Sequence, residues 1–123
     1  MIHMYQELLL DHYRNPRNRG ALKSPDFSSG MANPSCGDAI SMQGIMKGDQ
    51  LEQCFFEGKG CVISQATASM LTEQAIGKPV ADIMAMNAHS MQTMIGMQLG
   101  PTRLKCALLP LEALKKGIQE LQN

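Results

Sequence analysis

Ile2, Tyr5, Leu8, Leu9 and His12 fall on one face of a helix, which predicts an amphipathic helix over residues 2–13. Asn15-Pro16-Arg17-Asn18-Arg19-Gly20 ends it. Residues 27–33 read as a weak strand. Residues 38–46 and 51–57 read as strands, and Lys47-Gly48-Asp49-Gln50 between them reads as a hairpin turn. From 64 to 76 the period turns helical, and Gly77-Lys78-Pro79 stops it. Residues 80–96 are mainly helical with a break near Asn87, and Gly100-Pro101 interrupts again. The last helix carries Leu104, Leu108, Leu111, Leu114, Ile118 and Leu121 at helical spacing, with Pro110 inside it expected to kink or divide it. Strands first and helices afterwards predict an α+β domain: a small antiparallel three-stranded sheet with helices packed on one face.

Composition narrows the picture. A chain of 123 residues suits one domain, residues 1–123, and 44% hydrophobic content supports a core. Eleven Lys and Arg balance eleven Asp and Glu, so no net charge draws the chain to nucleic acid or to a membrane surface. Aromatics at 4% leave few platforms for stacking bases. No apolar run approaches the roughly 20 residues of a membrane span. Met1-Ile2-His3-Met4-Tyr5 lacks the basic-then-apolar form of a signal peptide, so the expectation is a cytoplasmic chain. In that compartment unpaired cysteines read as metal ligands or reactive thiols rather than disulfides.

Three of the four cysteines stand in distinct settings: Asn33-Pro34-Ser35-Cys36-Gly37-Asp38, Gly58-Lys59-Gly60-Cys61 and Arg103-Leu104-Lys105-Cys106. Each follows Gly, Pro or polar residues, which favour exposed turns, and each falls at a junction between elements. Cys36 has a carboxylate two residues on, close enough for both side chains to reach one ion. Three thiolates and one carboxylate complete a tetrahedral site for zinc or iron. A helix N-terminus, where Cys61 falls, carries partial positive charge that favours a thiolate. The plainer alternative is three small buried hydrophobes, a common fate of free cysteine.

These motifs, with the opening helix and its Asn15-Pro16-Arg17-Asn18, resemble the IscU/SufU family of iron–sulfur cluster assembly scaffolds, akin to the N-terminal domain of NifU, over nearly the whole chain. The resemblance implies that Cys36, Asp38, Cys61 and Cys106 gather in loops at one end of the domain. There they would hold zinc, iron or a transient [2Fe–2S] cluster. It implies three partners: a pyridoxal-phosphate cysteine desulfurase that supplies sulfur as a persulfide, an iron donor, and apo iron–sulfur acceptor proteins. Departures are visible. The IscU branch has His before the third cysteine and this chain has Lys105. The Leu-Pro-Pro-Val-Lys stretch of that branch is Leu99-Gly100-Pro101-Thr102-Arg103 here. Arg103 and Lys105 are closer to the SufU branch, yet the 45 positions from Cys61 to Cys106 are too few for that branch's insertion.

Two roles fit this set: a non-enzymatic scaffold that builds and passes on a labile cluster, or a zinc-dependent sulfurtransferase. In the second, Cys36 or Cys106 accepts the sulfur, Cys36 from a mobile Pro/Gly loop and Cys106 beside Arg103 and Lys105. A structural zinc domain that only binds partners is the third reading. Cys54, between strand residues, is expected to be structural. His3, His12 and His89 are expected to pack or face solvent. Met84, Met86, Met91, Met94 and Met97 are expected to fill the core. Gly58-Lys59-Gly60 lacks the spacing of a phosphate loop.

Overall fold

The computed structural model of the chain describes residues 2–35 and 37–122, with the backbone alone described at Ile2, His3 and Tyr5. Its elements are α1 (Ile2–Arg14), β1 (Phe27–Asn33), β2 (Asp38–Lys47), β3 (Gln50–Lys59), α2 (Val62–Ala75), α3 (Val80–Ala85), α4 (Ala88–Ile95) and α5 (Pro101–Gln122). The sheet runs in the order β1-β2-β3 with both pairings antiparallel. This is the α+β architecture expected from the sequence. Lys47 pairs with Gln50 across the two-residue turn Gly48-Asp49, and Gly48 takes φ 63, a left-handed value that suits glycine.

Strand alternation puts Phe27, Ser29, Ile40, Met42 and Phe56 on one buried face. In β3 the alternation breaks: Leu51 and Cys54, three apart, are both fully buried. The cause is a bulge. Ile45 pairs with Gln53 while Met46 pairs with Leu51, so Glu52 is an extra residue that resets which side faces inward. Helices α2 and α5 cover this buried face. Phe27 fills a slot between its strand partner Gly44 and helical Gly117; a Cβ on either glycine would run into the Phe27 ring. Helix α2 is buried on nearly every side, and its small residues Ser64, Ala66, Thr67, Ala68, Ser69 and Thr72 let its neighbours come close.

Two expectations need correcting. Pro110 does not divide the last helix, because α5 runs unbroken from Pro101 to Gln122. Proline removes one helical donor and crowds the carbonyl four residues back. Leu109, Pro110, Leu111, Ala113 and Leu114 are all buried, so core packing on both sides of the proline holds the helix together. On α1, Leu9 and His12 are buried but Leu8 is 40% exposed, so the buried stripe is narrower than the spacing suggested. The break near Asn87 is real. Asn87 caps α4, accepting from the Ser90 N–H, while the Ser90 hydroxyl accepts from the Asn87 N–H.

The segment after α1 fastens three elements together. Asn18 adopts φ 58, its carbonyl accepts from Phe56 N–H at 2.9 Å, and its Nδ2 donates to Thr72 Oγ1 at 3.1 Å. Gly20 N–H donates to the Phe56 carbonyl at 2.9 Å. Arg17 N–H donates to Ser69 Oγ at 2.8 Å, which leaves the Ser69 hydroxyl hydrogen for His12 Nδ1, 2.7 Å away. The Nε2–H of His12 then faces Glu73 at 3.6 Å, and Arg17 pairs with Asp11 at 2.6 Å. Thus the Asn-Pro-Arg-Asn motif has a structural purpose: it locks α1 onto α2 and β3.

Burial, and then the Arg17 charge, hold His12 below its ordinary pKa, against the opposing pull of Glu73 and Asp11. The folded state therefore binds His12's proton more weakly than the unfolded chain does, and folding is favoured by higher pH. This contribution is fully present above the unfolded value near 6.5 and is lost as pH falls below it. Urea unfolding followed between pH 8 and 5 should show stability declining below about 6.5, at no more than about 1.4 kcal/mol per pH unit from this group. His12→Gln should flatten that decline; an unchanged slope would show that His12 does not carry it.

Candidate metal centre

Three of the four residues singled out in the sequence meet at one end of the sheet. Asp38 is the first residue of β2 and is 1% exposed. It pairs with Asn33 across the β1–β2 connection, which turns tightly. Asn33 Oδ1 accepts from Ser35 N–H and Ser35 Oγ, and Gly37 N–H donates to the Asn33 carbonyl. Cys36 belongs to this connection by sequence but lies outside the described residues. Across the sheet, the last β2–β3 pair is Ala39 with Lys59, so the chain leaving β3 passes beside Asp38. Gly58 sits where a Cβ would strike the Ala39 carbonyl oxygen. Close strand pairing therefore accounts for the first glycine of Gly58-Lys59-Gly60, and nucleotide binding is not needed to explain it.

Cys61 is the N-cap of α2, in extended backbone, and is exposed. Its N–H donates to Asp38 Oδ1 at 2.7 Å and its Sγ lies 3.3 Å from Asp38 Oδ2. The Ser64 hydroxyl donates to the Cys61 carbonyl at 3.2 Å and stands 3.8 Å from Sγ. Cys106 arrives from the second turn of α5 and is 5% exposed. It is thus in a buried helical turn, not the exposed turn that its neighbours in sequence suggested. Ligand atoms of Asp38, Cys61 and Cys106 all lie within 4.8 Å of one another.

This donor set fits a soft or borderline metal. In a tetrahedral zinc site, bonds of about 2.3 Å to sulfur and 2.0–2.2 Å to oxygen put neighbouring ligand atoms roughly 3.5–3.8 Å apart. The Sγ–Oδ2 separation of 3.3 Å is close to that spacing already. A metal bound here would take the place of the Cys61 Sγ to Asp38 Oδ2 hydrogen bond. Two participants had no signature in the sequence, the Cys61 backbone amide and the Ser64 hydroxyl. The chain's exit from β3 brings the Cys61 amide to Asp38, and the first turn of α2 brings Ser64 to Cys61.

The remaining candidates take structural places. Cys54 is fully buried in the core, and burial pushes its thiol up to about 12. Met91 is fully buried, Met84, Met86 and Met94 pack on the main core, and Met97 packs on the smaller core around Leu9 and Ile95. His12 is the buried linker described above, and His89 is exposed on α4. Arg103 and Lys105 are exposed on the first turns of α5, to either side of Cys106 in the chain. No helix among the described residues is long and apolar enough to cross a membrane.

A three-stranded sheet and two helix heads that bring a carboxylate and two cysteines together at one end define a small α+β domain with a candidate metal site. The sequence matches the family described as the NifU-like N terminal domain over residues 4–123, and the chain belongs to that family. It is 35% identical to the "Zinc-dependent sulfurtransferase SufU" of Bacillus subtilis (strain 168), over 94% of this chain and 89% of the relative. It is 32% identical to the "Iron-sulfur cluster assembly scaffold protein IscU" of Streptococcus pyogenes serotype M1, over 98% of this chain and 86% of the relative. Among solved structures, FiSufU of Fervidobacterium islandicum AW-1, a candidate SUF-system scaffold, superposes with TM-score 0.77 at 30% identity, covering 94% of this chain and 98% of that one. The N-terminal part of a NifU-like protein from Brucella abortus superposes with TM-score 0.80 at 21% identity, covering 96% and 94%, and shows the same fold.

The two thiols Cys54 and Cys61 should differ sharply in reactivity. Iodoacetamide at pH 8 should alkylate Cys61 in the folded metal-free protein and leave Cys54 unmodified until denaturant is added. Peptide mass mapping reads this directly. Equal labelling of Cys54 under native conditions would show that the sheet core opens on the labelling timescale.

Proposed function

We propose that this chain is an iron–sulfur cluster assembly scaffold. It takes sulfane sulfur from a pyridoxal-phosphate cysteine desulfurase and ferrous iron from a donor. The electrons that bring the sulfur to sulfide come from the iron and an external thiol or protein reductant. The chain assembles a labile [2Fe–2S] cluster on Cys36, Asp38, Cys61 and Cys106, and passes it to apo acceptor proteins. The observation that carries the reading is the convergence of Asp38, Cys61 and Cys106 within 4.8 Å at one end of the sheet. Cys36, two residues before Asp38 in the chain, supplies the fourth ligand. Carboxylate is a harder donor than thiolate and binds soft metal more weakly, so Asp38 is the ligand that yields first. Zinc at the same four ligands would keep the thiols deprotonated until sulfur arrives.

Sulfur entry is a displacement. A thiolate of the chain attacks the terminal sulfur of the desulfurase persulfide; a new S–S bond forms, the old one breaks, and the desulfurase cysteine leaves as thiolate. We assign the acceptor to Cys36 ahead of Cys106. Cys106 is 5% exposed, and Cys61 is tied by Asp38 and by its place at the head of α2.

The second reading, a zinc-dependent sulfurtransferase, draws on the 35% identity to the Bacillus subtilis protein so named and on Lys105, where the IscU branch has histidine. Anaerobic incubation with a cysteine desulfurase, cysteine, ferrous iron and dithiothreitol separates the two. The scaffold reading expects visible absorption from a protein-bound cluster, and mass spectrometry of a parallel sample without iron or dithiothreitol should find the extra sulfur on Cys36 or Cys106. Tight zinc, faster desulfurase turnover and no cluster would favour the second reading. Zinc with neither activity would leave only a structural metal domain.

The assignment of Asp38 has its own test. Asp38→Ala should slow transfer of an assembled cluster to an apo acceptor by about tenfold or more and lengthen its lifetime, followed by absorption decay. Unchanged transfer and lifetime would remove Asp38 from the site.

A further inference from the structure

We infer that Gly60 is a positioning residue for the metal centre: the space of its missing side chain is taken by the Asp38 carboxylate, which makes Asp38 a ligand through one oxygen. This rests on the metal-centre reading above and specifies how the carboxylate serves it. A Cβ placed on Gly60 would collide with Asp38 Oδ1, and would stand 2.6 Å from Cγ and 2.9 Å from Cα, closer than real Cβ atoms approach. Gly60 also takes φ 138, outside the range that side-chain-bearing residues adopt readily. Both constraints act on the residue joining β3 to Cys61.

The consequence is a division between the two carboxylate oxygens. Oδ1 sits in the Gly60 cradle and accepts the Cys61 N–H at 2.7 Å. Oδ2 is the oxygen that stands 3.3 Å from Cys61 Sγ. With Oδ1 held by the head of α2, Oδ2 is presented to the metal, and the carboxylate adds one donor atom instead of two. A single oxygen beside three thiolates keeps the centre four-coordinate. A side chain at position 60 would evict the carboxylate from its cradle, break the Cys61 N–H contact and turn Oδ2 away.

A double-mutant cycle read by metal affinity tests this. Zinc binding is measured by competition with a chromophoric chelator on the wild type, Gly60→Ala, Asp38→Ala and the double variant, with circular dichroism and thermal melting to establish folding. Cobalt(II) spectra of all four report the ligand field. Gly60→Ala should weaken zinc binding by about 10–100-fold, as removal of a ligand-orienting partner does, and its cobalt spectrum should match that of Asp38→Ala. The double variant should bind no more than about threefold more weakly than Asp38→Ala alone, because no carboxylate remains to be displaced. Losses that multiply in the double variant, or a folded Gly60→Ala with wild-type affinity and spectrum, would overturn the inference. If Asp38→Ala itself leaves zinc affinity unchanged, Asp38 is no ligand of the metal centre and this inference falls with that assignment.

A second measurement needs no change at Gly60. In zinc-loaded wild type, the Cys61 amide proton should stay shifted downfield and exchange slowly by NMR, because it still donates to Oδ1. Asp38→Ala should move its shift upfield and speed exchange at least tenfold. A Cys61 amide in the zinc-loaded wild type that exchanges as fast as in Asp38→Ala would show that Oδ1 has left its cradle for the metal, against the inference.

Discussion

The hydrogen bond from the Cys61 amide to Asp38 Oδ1 joins the head of α2 to the start of β2, and the metal-site end of the protein is arranged around it. Burying a carboxylate without compensation is costly. Here one oxygen receives a helix N-terminal N–H, where the backbone dipole favours negative charge. A hydrogen bond to a charged group contributes roughly 1.5–3 kcal/mol net, enough to fix the exit of the chain from the sheet. Helix α2 then enters the interior in one direction only. Its small residues, buried on nearly all sides, convert that direction into the packing of α1, α5 and the sheet.

The ligands differ in how firmly the fold holds them. Asp38 and Cys61 are fixed to each other and to paired strands. Cys106 depends on α5, whose early turns lie ahead of Pro110, where one helical hydrogen bond is missing by chemistry. The proline is tolerated because buried leucines on both sides anchor α5 to the core. On the far side of α2, the His12–Ser69–Arg17 cluster binds α1 by polar contacts that respond to proton concentration. A rigid pair of candidate ligands and a third on a weaker helical turn match the proposed scaffold, which must both hold and release a cluster.

One donor set serves both activities named among the relatives. Sulfur transfer from a zinc-held thiolate and cluster assembly on thiolates each need deprotonated sulfur, a partially open end of the domain and one ligand weaker than the rest. In this chain the fold brings Asp38, Cys61 and Cys106 together, a donor set compatible with either. The exchange of His for Lys105 beside the third cysteine changes the local charge without touching the sheet register, so the common fold accommodates it.

Element order was legible in this sequence because local periodicity and turn residues encode it: Lys47-Gly48-Asp49-Gln50 made the hairpin, Asn87 the helix start, and alternating β2 its buried face. The candidate ligands were legible because cysteine and aspartate in glycine- and proline-bearing motifs are chemically distinctive. The β3 register was not, since a bulge at Glu52 turns Leu51 and Cys54 to the same side and defeats a period-two reading. Pro110 does not divide α5 for a related reason: local propensity argues for a break, and burial of its neighbours overrules it. The sequence by itself determined which residues are candidate metal ligands and which segments are helix or strand. Only the tertiary structure decided that Cys106 is buried, that Leu8 is not, and that Gly60 gives its side-chain space to Asp38. These depend on contacts between segments far apart in the chain, and local periodicity carries no information about such distances.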